Sequence, residues 1–109
     1  MARKIESAER SYAAARPTVD ELLATRTRAN RVNVDFLKVD LKTALTFSEV
    51  ALKTDDPVKR RRNCNAARKA YDTILRLMPK VALTEAEADL LTDNLARLKS
   101  ELQSLGETF

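Results

Sequence analysis

Histidine and tryptophan are absent from this 109-residue chain, and glycine and cysteine occur once each, as Gly106 and Cys64. Without histidine the commonest general base and the commonest neutral metal ligand are gone. Serine–histidine and cysteine–histidine catalysis are thereby excluded, and so are histidine-based nucleases and zinc hydrolases. A single glycine rules out a glycine-rich phosphate loop. A single cysteine makes neither an internal disulfide nor a cysteine-rich metal site, and gives no reason to invoke an oxidising compartment. Two carboxylate clusters remain, Asp55/Asp56 and Glu85/Glu87/Asp89. Both sit at expected helix starts, where capping accounts for them without a metal or an acid–base pair. The sequence predicts a non-enzyme, with no catalytic residue, no cofactor and no metal.

The chain also lacks an apolar run of 15 residues, so no membrane span and no signal-peptide core is expected, and "MARKIESAERS" is too polar to serve as one. A cytoplasmic protein without a membrane partner is the expectation. Only five residues are aromatic and three are proline. Strands need a Gly, Asn or Pro turn every ten residues or so, and this chain cannot supply them. The fold class is therefore all-α. At 44% hydrophobic and 33% charged residues the composition is that of one folded domain with one core.

The helix signals are explicit. Residues 2–15 place Ile5, Ala8, Tyr12 and Ala15 at helical spacing, and Pro17 ends that helix. Thr18 followed by Glu21 is a capping box that opens a helix over 19–53, with neither Gly nor Pro inside it. Its start is polar, whereas 32–52 carries Val32, Val34, Phe36, Leu37, Val39, Leu41, Ala44, Leu45, Phe47, Val50, Ala51 and Leu52. Such density on more than one face predicts contact with at least two other helices. Asn30 or Asn33 could cap a fresh start, but the continuous helix is favoured. "KTDDPV" is a boundary, with Asp56 as N-cap and Pro57 at the first helical position. The next helix runs over 57–78, with Cys64, Ala67, Tyr71, Ile74, Leu75 and Met78 on its apolar face. Cys64 is read as a small buried hydrophobe and Tyr71 as a core residue. Thr84 and Glu87 form a second capping box before a helix over 85–105. Ala88, Leu91, Leu95, Leu98, Leu102 and Leu105 recur there at alternating three- and four-residue steps. Gly106 is the expected C-terminal cap, and the last three residues read as a tail.

These lengths predict an antiparallel three-helix bundle over 32–109, with 1–31 as an N-terminal helical arm. The helix over 2–15 either overhangs as part of that arm or folds back as a fourth bundle helix. In the first case Ile5, Tyr12, Leu22 and Leu23 are candidate contacts of a homodimer.

The distribution of charge raises one further question. Lys59, Arg60, Arg61 and Arg62 crowd a helix N-terminus, where the macrodipole disfavours cations. In a helical hairpin they lie beside the C-terminus of the preceding helix and beside Asp55 and Asp56, which offsets the cost. On the side away from the core, Arg62, Lys69, Arg76 and Lys80 align over about 27 Å of helix. The segment 57–80 carries eight cations and one anion, between acidic neighbours on either side. The ridge is therefore read first as a solvated face complementing those neighbours. Its functional alternative is a dock for an acidic protein. With the basic residues of the arm it could also meet nucleic acid, although no aromatic or glycine-rich motif accompanies it.

Ala67, Tyr71, Ile74 and Pro79 have the spacing of the second helix of a tetratricopeptide repeat, which "ARKAYDTILRLMP" resembles. The resemblance covers 13 residues, the preceding helix lacks the family signature, and no second repeat follows. It implies an antiparallel helical hairpin that presents a protein-binding surface, and it assigns no functional residue. The functional expectation is a non-catalytic interaction or scaffold module whose partner is an acidic protein surface or a second copy. The alternative is a small nucleic-acid-associated protein.

Overall fold

The computed structural model describes residues 17–109, which form three α-helices and no strand. Helix α1 spans Val19–Lys53, α2 spans Pro57–Leu77, and α3 spans Glu85–Ser104. The expected helix over 2–15 lies outside the described residues, and with it Ile5 and Tyr12.

Each start is fixed by the residues that predicted it. The Thr18 hydroxyl accepts from the Glu21 amide at 3.1 Å while the Glu21 carboxylate accepts from the Thr18 amide. Thr84 and Glu87 repeat the arrangement at the head of α3. Asp56 accepts from the amides of Val58 and Lys59, with Pro57 entering α2 behind it. Helix α1 is unbroken for 35 residues, so Asn30 and Asn33 cap nothing. Helix α2 ends one residue early, at Leu77. The chain tightens into a 3₁₀ turn over Met78–Lys80, which takes in Pro79 before the link to α3. Helix α3 closes one residue before the expected 105. Gly106 has φ +94°, Gly106 N–H donates to the Gln103 carbonyl, and Glu107 N–H donates to the Leu102 carbonyl. This paired closure needs the left-handed conformation that glycine adopts at least cost.

Three residues separate α1 from α2, so α2 returns alongside α1. Helix α3 then runs in the same direction as α1, with Glu87 beside Lys38 and Arg97 beside Glu49. Leu37, Leu41, Ala44 and Ala51 of α1 meet Cys64, Ala67, Tyr71 and Ile74 of α2 and Leu91, Leu95, Leu98 and Leu102 of α3 in one core. Each fully buried leucine contributes roughly 2 kcal/mol before chain entropy is subtracted. Leu75, expected on the core face of α2, is exposed instead. It stands about 100° round the helix from Ile74, which is fully buried.

The core also holds one polar residue, Ser48, with no exposed surface. Its hydroxyl proton has two acceptors in reach, the Leu45 carbonyl at 2.9 Å and the Glu101 carboxylate. Glu101 in turn pairs with Arg97, which also holds Glu49 of α1. This polar seam locks the C-terminal half of α1 to α3.

Candidate interaction surfaces

The two ends of α1 have different surroundings. Asn30 is the most N-terminal α1 residue to hydrogen-bond another element among the described residues. Its amide donates to the Ala82 carbonyl at 2.9 Å and its carbonyl accepts from the Ala82 N–H at 2.7 Å. Beside it, Glu87 gathers Arg31 at 3.2 Å and, about two turns along α1, Lys38 at 3.0 Å while completing the α3 cap. The Lys38 ammonium, aided by the Thr84 amide, draws the Glu87 carboxyl from its ordinary 4.5 down to about 2. N-terminal to Asn30, the first turns of α1 project past the other two helices. The candidate contacts Leu22 and Leu23 lie there, both about half exposed. They do not share a face. Leu23 continues the core-facing side of α1, and Leu22 lies about 100° away.

The largest uncovered apolar feature is elsewhere on α1. The core-facing residues Val34, Leu37, Leu41, Ala44, Ser48 and Ala51 occupy an arc about 100° wide. About 150° round the helix stand Val32, Phe36 and Val39, which are 66%, 51% and 64% exposed. The expected contact with two other helices is made by the core-facing side, and these three residues take no part in it. Among the described residues nothing covers them, because α2 and α3 both sit on the other side of α1. A signal for this was present in the spacing. Positions 32, 36, 39, 43, 46 and 50 follow alternating steps of four and three, a second seam interleaved with the core-facing one. Thr43 and Thr46 fit it, because their hydroxyls donate to the carbonyls of Val39 and Lys42, one turn back. That satisfies their polar atoms on their own helix.

Of the basic ridge, Arg62, Lys69 and Arg76 stand on α2, and Lys80 falls in the 3₁₀ turn that follows it. Arg62, Lys69, Arg76 and Lys80 are all exposed, and none has a carboxylate within 4 Å among the described residues. Asp72, the acid nearest them in sequence, is held by Arg68 at 3.2 Å. The crowding of Lys59 to Arg62 is relieved at one point. Arg60 donates to the Thr54 carbonyl at 2.7 Å, at the negative end of α1. Asp55 makes no ion pair with the four cations, and Asp56 is used as a cap.

The residues after α3 are docked rather than loose. The Phe109 ring meets Tyr71 edge-on at 5.0 Å between centroids, and the Arg68 guanidinium lies over that ring at 4.0 Å. Arg68 also donates to the Thr108 carbonyl at 2.7 Å. This covers the Tyr71 side of the core; about two turns earlier on α2 the Cys64 thiol is buried. Burial, assisted by Glu107, pushes the Cys64 pKa up, against the opposing pull of Arg61 and Arg68. A thiol held protonated in this way is a poor nucleophile.

Among the described residues no cluster of His, Cys, Asp or Glu could hold a metal ion, and no helix is long and apolar enough to cross a membrane. Among the described residues the surface depressions are open to solvent. Searches of protein families, curated proteins and solved structures give no match to this chain.

Proposed function

We propose that this protein is a non-catalytic protein–protein interaction or scaffold module that binds through the outer face of α1. The observation that carries the reading is the exposed stripe Val32–Phe36–Val39 on a helix whose opposite side is already committed to the core. An exposed apolar stripe centred on an aromatic ring and held on one rigid helix is the kind of surface that marks a docking face. In this reading the three helices act as an antiparallel bundle over 32–109, and 1–31 is an arm. The hairpin of α1 and α2, with its tetratricopeptide-like stretch at 67–79, supplies a rigid support. The absence of histidine and the protonated, buried Cys64 fit a protein that performs no catalysis, and its place is the cytoplasm.

The test is a binding comparison between the wild-type chain and a variant with Val32→Glu, Phe36→Glu and Val39→Glu. Binding partners, whether a second copy or another protein, are retained by the wild type and lost by the variant. Equal retention by both would overturn the reading.

A second reading rests on the α2 ridge. Four exposed cations without ion-pair partners among the described residues make a surface for an acidic protein or for nucleic acid. A nucleic-acid role requires affinity that survives physiological salt and falls when Lys69 and Arg76 become Glu.

A further inference from the structure

The outer seam of α1 is flanked by a regular pattern of charge, and this pattern points to a particular occupant. Written as a heptad, the seam takes Leu22, Ala29, Phe36, Thr43 and Val50 as one column and Thr25, Val32, Val39 and Thr46 as the other. The positions just before Ala29, Phe36, Thr43 and Val50 hold Arg28, Asp35, Lys42 and Glu49, while Glu21 before Leu22 is engaged in the α1 cap. The sign alternates +, −, +, − at seven-residue steps. These are the flanking positions that set partner and orientation when two helices pair.

We infer that the occupant of this face is a second copy of the same chain, docked antiparallel through α1, an inference that rests on the interaction-module reading above. Consider the register that sets Phe36 of each copy against Val39 of the other. Asp35 then faces Lys42 of the second copy, and Arg28 faces Glu49, each pair occurring twice by symmetry. Glu49, half exposed, keeps Arg97 of its own chain as well. The most apolar residues fall at the two-fold axis, and Val32 rests on the outward methyl of Thr43. Neighbouring registers fail. A shift of one heptad one way opposes Asp35 to Asp35 and Arg28 to Lys42. A shift the other way opposes Lys42 to Lys42 and Asp35 to Glu49. A parallel pair sets Asp35 against Asp40. Of these arrangements only the first sets Arg28, Asp35, Lys42 and Glu49 all against opposite charges, while Arg26, Asn33, Asp40 and Phe47 on the other flank bring no like charges together; like charges in the others disfavour them.

The same register accounts for the overhang. It pairs residue 22 of one copy with residue 53 of the other, so the first turns of α1 lie along the last turns of its counterpart. The paired length is about 46 Å. A contact strip about 10 Å wide on each copy gives roughly 1,000 Å² in total, the lower end of specific interfaces. The chain's own N-terminal residues are a poorer fit. A helix over 2–15 would be about 21 Å long, whereas Phe36 stands about 28 Å along α1 from Pro17, so it would stop short of Phe36 and Val39. A two-fold interface of this kind is closed and stops at the dimer.

The experiment is charge exchange across the interface, read by multi-angle light scattering and sedimentation equilibrium on the full chain. Circular dichroism verifies that each variant keeps its helices. The wild type is expected to dimerise in the micromolar range. Asp35→Lys and Lys42→Asp, each alone, place like charges opposite one another and weaken the dimer at least about tenfold. The double variant D35K/K42D restores it to near the wild-type level. A dimer indifferent to the single changes, or a double variant no better than either single, overturns the inference. So does a wild type that is monomeric at every concentration. In that last case, a different protein captured by the wild type and lost by the Val32/Phe36/Val39 variant leaves the interaction-module reading standing. Capture of nothing specific removes both.

Discussion

The side chain of Asn30 bonds the backbone of Ala82 twice, giving its N–H to the carbonyl and taking the Ala82 N–H on its oxygen. The amide thus acts as a backbone surrogate that ties α1 to the link before α3. It also marks the point along α1 where the packed part of the helix begins.

Asn30→Ala removes both bonds and leaves the Ala82 groups to water. Because the site is exposed, the expected loss is about 1 kcal/mol of unfolding free energy, read as a shift in urea midpoint at constant slope. Asn30→Asp keeps the acceptor and loses the donor, so it should fall between the alanine variant and the wild type.

Glu87 predicts an acid transition. Its folded-state pKa lies below the ordinary 4.5, at about 2, chiefly through Lys38. A depressed carboxyl contributes stability that is fully present above the unfolded value and is lost as pH falls toward the folded value. The contribution should therefore disappear between pH 4.5 and pH 2. Glu87→Gln should be less stable at neutral pH and should flatten the stability profile across that interval, as followed by thermal melts in a pH series.

The contact of Phe109 with Tyr71 and Arg68 predicts that the last residues protect the core. Phe109→Ala should lower stability by about 1 kcal/mol, read as a drop in urea midpoint at constant slope. A midpoint unchanged by the substitution would show that the Phe109 contact adds nothing to the fold.

Much of this fold is visible in the sequence, because the decisive signals are local. Thr18, Asp56, Thr84 and Gly106 mark helix ends through hydrogen bonds to residues within a few positions, and each works as its type predicts. The core face of α3 follows from one clean periodicity, and that of α2 from another that wrongly takes in Leu75. Helix α1 is harder, because two seams overlap on it. Counting apolar residues over 32–52 gives the two helix neighbours without saying which seam they occupy, and Val32, Phe36 and Val39 fall on the one that α2 and α3 leave open. Ser48 was equally hidden. Its burial depends on Glu101, 53 residues away, and nothing local announces that pairing. The docking of Phe109 on Arg68 has the same long-range origin.

The basic ridge carries a prediction of its own. Arg62, Lys69, Arg76 and Lys80 are exposed without ion pairs among the described residues, so Lys69→Glu with Arg76→Glu should change the unfolding midpoint little. Under the interaction-module reading, labelled duplex DNA and RNA show no binding at physiological salt in an anisotropy titration. Micromolar binding that persists there, and is lost in the double variant, would favour the nucleic-acid reading instead.

The most direct measurement is the urea midpoint of the wild type and of the Val32→Glu/Phe36→Glu/Val39→Glu variant as a function of protein concentration. If the outer face of α1 is a docking surface for a second copy, the wild-type midpoint rises with concentration, because association stabilises only the folded chain. The variant midpoint stays constant and matches the wild type at high dilution, since these side chains do no work inside the monomer. A wild-type midpoint independent of concentration, together with a variant destabilised at every dilution, would contradict the account. It would mean that the stripe serves the chain's own fold.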